Sequence, residues 1–404
     1  MDDVILSIDL FDATFKKIAL VLAILLLLIV TISKPLKKRM CVNVYGWYGV
    51  LPQAVIEQFE KETGIHVHYD VFDNNEMLEA KLLASNSGYD VVMPTVTPYG
   101  VRQLALKIYQ RIDKRLLPNL GDVEPVLINK MKDLDPDMDF FMPYYWATTG
   151  LAFDEDRLKS VIPDVPLDDV HLLFDVDVLA KLKPYGVSLL QEPVDIFPLF
   201  LAYLGRDRDS RSLEDLWVVS QRLAVVSRYI RRFSSARFVT DLVFGDVCVA
   251  QAWSGEALRA IDDAKKIGRN IRYIIPKSGG DIWIDALAIP IGAPNVKNAH
   301  AFINFLLRPE ISAQITNYSQ MATMVVRAKS LVDKDLLENS LIFPTEETLE
   351  TLHISPVFTG DAAEVYERVR TRLWAQIKMQ RPLTRALFEE IARKQRVRVR
   401  KQKE

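Results

Sequence analysis

The chain has 404 residues, 49% hydrophobic and 26% charged, with no internal repeat or low-complexity stretch, so it is a globular chain long enough for two lobes with sizeable cores. Its formal charge of −2 conceals a division: residues 42–384 carry 37 basic and 46 acidic side chains, a net −9, while both ends are basic. A body of that sign raises the local concentration of cations, and no nucleic-acid partner is expected of it.

In chain order, Ile18 to Ile32 is a run of fifteen residues without a charge, preceded by Lys16 and Lys17 and followed by Lys34, Lys37, Lys38 and Arg39. Fifteen residues suit an export signal better than a full span of about 20. No small-x-small cleavage site follows, however, and the run is read as an uncleaved N-terminal membrane anchor.

From Val55 to Pro94 the punctuation is dense. Pro52 suits a first helical turn, Val55, Ile56 and Phe59 share a face, and Gly64 suits a left-handed cap, which predicts a helix over 52–62. The period then becomes two, with Ile65, Val67, Tyr69 and Val71 facing one way and His66, His68 and Asp70 the other. Asn74 or Asn75 caps a second helix through Met77, Leu78, Leu82 and Leu83, and Ser87-Gly88 turns the chain into a buried strand over Asp90 to Pro94. Thr95 follows at its C-terminal end, where open α/β sheets bind ligands.

Cys248 lies in a run that reads as a buried strand, and the only other cysteine is Cys41; a free buried thiol is the reading for Cys248. His66 and His68 share a strand face, but no Cys, Asp or Glu at ligand spacing completes a metal site, so they are read as solvent-facing. No nucleophile elbow, phosphate loop or dinucleotide fingerprint occurs, and neither catalytic residues nor a cofactor are assigned. The tail Arg393-Lys394-Gln395-Arg396-Val397-Arg398-Val399-Arg400-Lys401 is read as a solvated, frayed terminus, with a position near anionic lipid as the alternative.

Several motifs occur in order: Val44-Tyr45-Gly46-Trp47, Phe59 to Ile65, Tyr69 to Asp73, the strand through Asp90, Pro143 to Gly150, and Gly245 to Ala250. Together they resemble the polyamine-binding proteins of bacterial ABC importers over about residues 42 to 380. The resemblance implies an α/β, two-lobe periplasmic-binding-protein-like fold of type II with a hinge. Lobe 1 would comprise 42–145 with about 287–315, lobe 2 would comprise 146–286 with about 316–381, and a basic tail would follow over 382–404. The chain would cross between lobes near 146–153 and 283–290. It also implies a partner permease in the membrane, a periplasmic location and no enzymatic activity. Charge bias alone favours the opposite topology, since more basic residues follow the apolar run than precede it.

A polyamine needs carboxylates at matched distances and aromatic walls between them, because ring faces attract ammonium groups and cover methylenes. By the resemblance, Trp47, Trp253 and Trp283 are walls, and Glu256, Asp285 and Asp195 hold amines. Glu192 falls where spermidine-preferring members carry a second acid, and Thr95 and Ser235 occupy hydroxyl positions. Glu256 lies three residues after Trp253, where a first helical turn would bring it toward the cleft, and Trp283 and Asp285 share a strand face. Relatives pair the cysteine equivalent to Cys248 with one that would fall at Tyr185, so that disulfide is absent.

The departures are also informative. After Trp47 the chain reads Tyr48-Gly49-Val50, where putrescine-binding relatives have a serine, an aspartate and a tyrosine. Tyr48 is a candidate replacement ring, and Met321 stands where the family has a wall tyrosine. The loss of an acid at Gly49, together with Trp283 and Glu192, leans toward the longer triamine spermidine over putrescine. A membrane-anchored polyamine or cationic-solute sensor or scaffold on the same fold, without a transport role, is the alternative function.

Overall fold

A computed structural model describes residues 40–401 apart from 85, 122, 132–133 and 357–359. The apolar run 18–32 and the anchor read from it lie outside these residues. Among the described residues no helix is long and apolar enough to cross a membrane.

The densely punctuated segment builds the first sheet. β1 (Cys41–Trp47), α1 (Gln53–Thr63), β2 (His66–Phe72), α2 (Asn75–Leu83) and β3 (Val91–Val92) give a parallel sheet of order β2-β1-β3. Parallel strands need a crossover, and α1 supplies it while burying Val55, Ile56 and Phe59 against the sheet. Gly64 ends α1 at φ 70°, a conformation that carries no penalty without a Cβ. Asn74 is the residue that caps α2, accepting from the Met77 N–H at 2.9 Å.

The predicted alternation of β2 holds at Ile65 and Val67 and then changes phase. Val71 is exposed and Phe72 is buried. The ring of Phe72 meets those of Tyr45 and Trp47 at centroid distances of 5.0 and 4.5 Å, and this aromatic contact outweighs burial of a valine at the end of an edge strand. His66 is likewise not a purely solvent residue, since its Nδ1 lies 2.5 Å from Glu60.

Beyond the short strand β4 (Tyr109–Gln110) comes β5 (Met142–Asp154), 13 residues long. Its first part places Met142, Tyr144 and Tyr145 in the first core, and its last part places Leu151 and Phe153 in the second. The chain continues through β6 (Val187–Leu189), α3 (Pro193–Tyr203), α4 (Leu213–Val226), β7 (Arg232–Phe233) and α5 (Phe238–Phe244). It then forms β8 (Val249–Trp253), α6 (Ser254–Lys266), β9 (Ile271–Ile274) and β10 (Asp281–Leu287). These strands make a mixed sheet of order β10-β5-β8-β6-β7, with β9 also paired to β5. Gly150 permits that crowding, because a Cβ there would stand 2.2 Å from the Ile274 carbonyl oxygen. Cys248 is a free, fully buried thiol whose Sγ lies 3.3 Å from the Gly186 carbonyl oxygen, and burial pushes its pKa up to about 12.

The chain then returns to the first core. β11 (Ile289–Pro290) pairs with β4, and α7 (Val296–Leu306) sets Phe302 and Phe305 edge-on to Phe59 at 5.1 and 5.2 Å. After α8 (Pro309–Ser319), β12 (Ala322–Thr323) pairs with β5, and Val325, Ala328 and Val332 pack into the first core. These apolar side chains, beyond residue 315, thus find their partners in the first core.

The tail expectation is corrected. α9 (Asp361–Lys378) is followed by α10 (Arg385–Lys401), a 17-residue helix that buries Phe388, Ala392 and Val399 in the second core. Phe388 meets Trp217 of α4 at 5.2 Å. The basic residues that dominate the sequence signal occupy the other faces of an amphipathic helix, and their density hid the apolar stripe. Phe388→Ala is expected to lower unfolding stability by about 3 kcal/mol in urea titrations, whereas the exposed Arg393→Ala is expected to change it by less than about 0.5 kcal/mol.

Candidate functional site

The C-terminal ends of β1 and β3, the β5–β10 pair and the N-terminal turns of α2, α3 and α6 surround one cavity. It encloses about 720 Å³ of non-protein space, open solvent at its mouth included. Of the predicted residues, Trp47, Tyr48, Thr95, Glu192, Asp195, Trp253, Glu256, Trp283, Asp285 and Met321 line it.

Each is held by local chemistry. Trp47 ends β1 with its ring against Phe72, and Tyr48 beyond it is 75% exposed at the mouth. Asn75 fixes Thr95 from both sides: its Nδ2 donates to Thr95 Oγ1 at 3.0 Å, and its Oδ1 accepts from the Thr95 N–H at 3.1 Å. Trp253 caps α6, so Glu256 falls in the first turn of that helix as its spacing predicted. Gly255 makes room for Met321, whose Cγ would stand 2.9 Å from any Cβ there.

On β10, Trp283 donates through Nε1 to Thr149 Oγ1, and the backbone of Asp285 pairs with that of Thr95 in an isolated antiparallel bridge. The β5–β10 register shifts between Asp285 and Ala286, a bulge that re-aims side chains at the site. Glu192 immediately precedes α3, and Asp195, only 2% exposed, lies in that helix's first turn. Ser235 is not among the lining residues. It donates instead to Glu192 Oε2 and accepts from the Gln191 N–H at 3.0 Å, holding the acid from behind.

Sequence reasoning missed Tyr99, Tyr145, Asn75 and Glu76, which also line the cavity. Glu76 accepts from the Tyr99 hydroxyl at 3.0 Å. Its signal was its place two residues after the capping Asn74, beyond the C-terminal end of β2; an acid in a first helical turn ordinarily only complements the helix dipole.

The electrostatics are those of an acidic pocket only partly compensated by Arg259. Burial raises the Asp285 pKa to about 6, with hydroxyls of Thr95 and Tyr145 pulling the other way and the Glu256 charge adding to the rise. Burial and then the Glu192 charge push Asp195 well above the ordinary range. Glu192 and Glu256 are also raised by burial, opposed respectively by Ser235 and Arg259. Asp195 Oδ1, Glu256 Oε2 and Asp285 Oδ1 are buried without a hydrogen-bond partner in the protein. These buried carboxylate oxygens share the cavity lining with Trp47, Trp253 and Trp283.

The family model described as bacterial extracellular solute-binding protein matches residues 48–313. The chain belongs to that family. Among its relatives, the putrescine-binding periplasmic protein PotF of Escherichia coli is 36% identical over 87% of this chain and 95% of its own. The putrescine-binding periplasmic protein SpuD of Pseudomonas aeruginosa is 36% identical over 83% of this chain and 91% of its own. The solved spermidine/putrescine ABC transporter substrate-binding protein PotD of Streptococcus pneumoniae shares the fold at a TM-score of 0.69 and 24% identity, covering 85% of this chain and 100% of that one. This solute-binding protein therefore has the two-lobe α/β fold expected from its motifs, and its family is one of binding proteins rather than enzymes.

The raised pKa of Asp285 makes a signed prediction. A carboxyl whose folded pKa, about 6, exceeds its ordinary 3.8 contributes stability that is fully present below pH 3.8 and is lost as pH rises through 6. In urea unfolding, Asp285→Asn should therefore gain on the wild type by about 2 kcal/mol more at pH 7.5 than at pH 4. An unchanged difference between the two pH values would contradict the assignment.

Proposed function

We propose that this protein binds a polyamine, spermidine or putrescine, in the acidic aromatic cavity and delivers it to the permease of an ABC importer. The observation that carries the reading is the set of unpartnered, buried oxygens of Asp195, Glu256 and Asp285 among Trp47, Trp253 and Trp283. Ammonium groups satisfy such oxygens, and indole faces cover the methylenes between them. PotF and SpuD, both putrescine-binding proteins, support the same solute class.

Closure follows from the layout. β1, β3 and α2 contribute from one lobe and α3, α6 and β8 from the other, so a ligand touching both favours the closed state, with β5 and β10 as the hinge strands. We place the lobe division at 145/146 and again near 287 on this basis. The apolar run 18–32 would anchor the protein at the outer face of the cytoplasmic membrane, close to its permease.

Calorimetric titration of the purified protein tests the reading. Binding of spermidine or putrescine is expected, and Asp285→Ala should weaken it by about 30-fold, the effect of deleting one member of a buried charge pair. Because the ligand's ammonium groups remain protonated while Asp285 titrates near 6, wild-type affinity should fall between pH 7.5 and pH 5. Absence of heat with every polyamine overturns the reading.

A further inference from the structure

Arg259 lies on α6 one turn beyond Glu256 and reaches across the cleft mouth. Its Nη2 donates to Glu256 Oε1 at 3.1 Å, and its Nη1 donates to the Gly49 carbonyl oxygen at 3.1 Å. Gly49 belongs to the turn after β1, in the opposite lobe, with φ 71°. A Cβ at that position would stand 3.0 Å from Arg259 Nη1. The guanidinium therefore occupies space that the missing side chain leaves, and the two positions form one arrangement.

The consequence is a division of charge. Among the described residues no lysine or arginine lines the cavity itself, while Glu76, Glu192, Asp195, Glu256 and Asp285 do. These acids fall into two groups. Asp285 feels the Glu256 charge, whereas Tyr99, bonded to Glu76, feels Glu76, Asp195 and Glu192. With Arg259 paired to Glu256, the Glu256/Asp285 end carries a net charge of −1 when ionised, against −3 for the Glu76/Glu192/Asp195 end.

We propose that Arg259 is a specificity-determining residue: an internal cation that competes with ligand ammonium for Glu256 and so selects against short diamines in favour of longer polyamines. A diamine resting on Asp285 and Glu256 meets a pair already half-neutralised. A longer chain keeps one ammonium there and places the rest of its charge against the three carboxylates of the other end. The backbone carbonyl of Gly49 completes the device by holding the guanidinium's second arm, so that it stays at Glu256 instead of swinging into solvent.

The inference rests on the polyamine reading, and calorimetry separates the two. Titrations of putrescine and spermidine into wild type, Arg259→Gln, Arg259→Lys and Arg259→Gln/Glu256→Gln are compared. Arg259→Gln should tighten putrescine binding by up to about fivefold, the scale of a partly exposed ion pair, and spermidine by clearly less. Arg259→Lys, which keeps a charge but loses the forked geometry, should fall between. The double variant should lose the gain, because the competition requires the Glu256 carboxylate. Wild-type binding with Arg259→Gln no tighter, or equal gains for both amines, overturns the inference and leaves the polyamine reading standing. No heat from wild type or variant with either amine overturns both.

Discussion

The antiparallel pairing of β5 with β10 is the constraint on which the rest depends. Their register, from Asp281↔Thr149 to Leu287↔Met142, ties together the two segments that pass between the cores. Because one strand feeds Tyr144 and Tyr145 to the first core and Leu151 and Phe153 to the second, neither core forms independently of it. The same pairing carries Trp283 and Asp285 into the cavity, and the bulge after Asp285 sets the direction of that carboxylate. Fold and site thus share a structural element, and a hinge placed there moves the lobes without dismantling either sheet.

The second organising feature is desolvation. Glu192, Asp195, Glu256 and Asp285 are buried by the packing that shapes the cavity, and that burial disfavours their ionisation. Most of the supporting contacts in the lining bring no charge: Ser235 on the Glu192 carboxylate, Asn75 on the Thr95 hydroxyl, the Gln251 amide on the Asp195 backbone carbonyl at 2.7 Å. Arg259 is the exception. It contributes a full charge, held by the Gly49 carbonyl of the turn after β1, although it does not itself line the cavity.

The parts legible in sequence were those where one local signal decided the outcome. Gly64, Asn74 and the apolar face of Val55, Ile56 and Phe59 specified α1 and the start of α2, because caps and helical periodicity act within a few residues. The long motifs brought together Trp47, Trp253, Glu256, Trp283 and Asp285 from distant segments. The failures share a cause in long-range packing. Phe72 was drawn inward by Tyr45 and Trp47, α10 was hidden by its own arginines, and Glu76 looked like an ordinary first-turn acid until Tyr99, 23 residues away, was seen to bond it.

Sequence by itself determined the family, the parallel frame from β1 to β3 and most of the residues that meet in the cavity, since periodicity, capping and ordered motifs are properties of the chain alone. Tertiary structure alone decided which face of β2 ends buried, where the C-terminal helix docks, that Ser235 supports rather than lines, and that Arg259 stands on Glu256. Each of those depends on what another segment places within a few ångströms, and Coulomb, packing and desolvation energies at that range are set by folded geometry rather than by order along the chain.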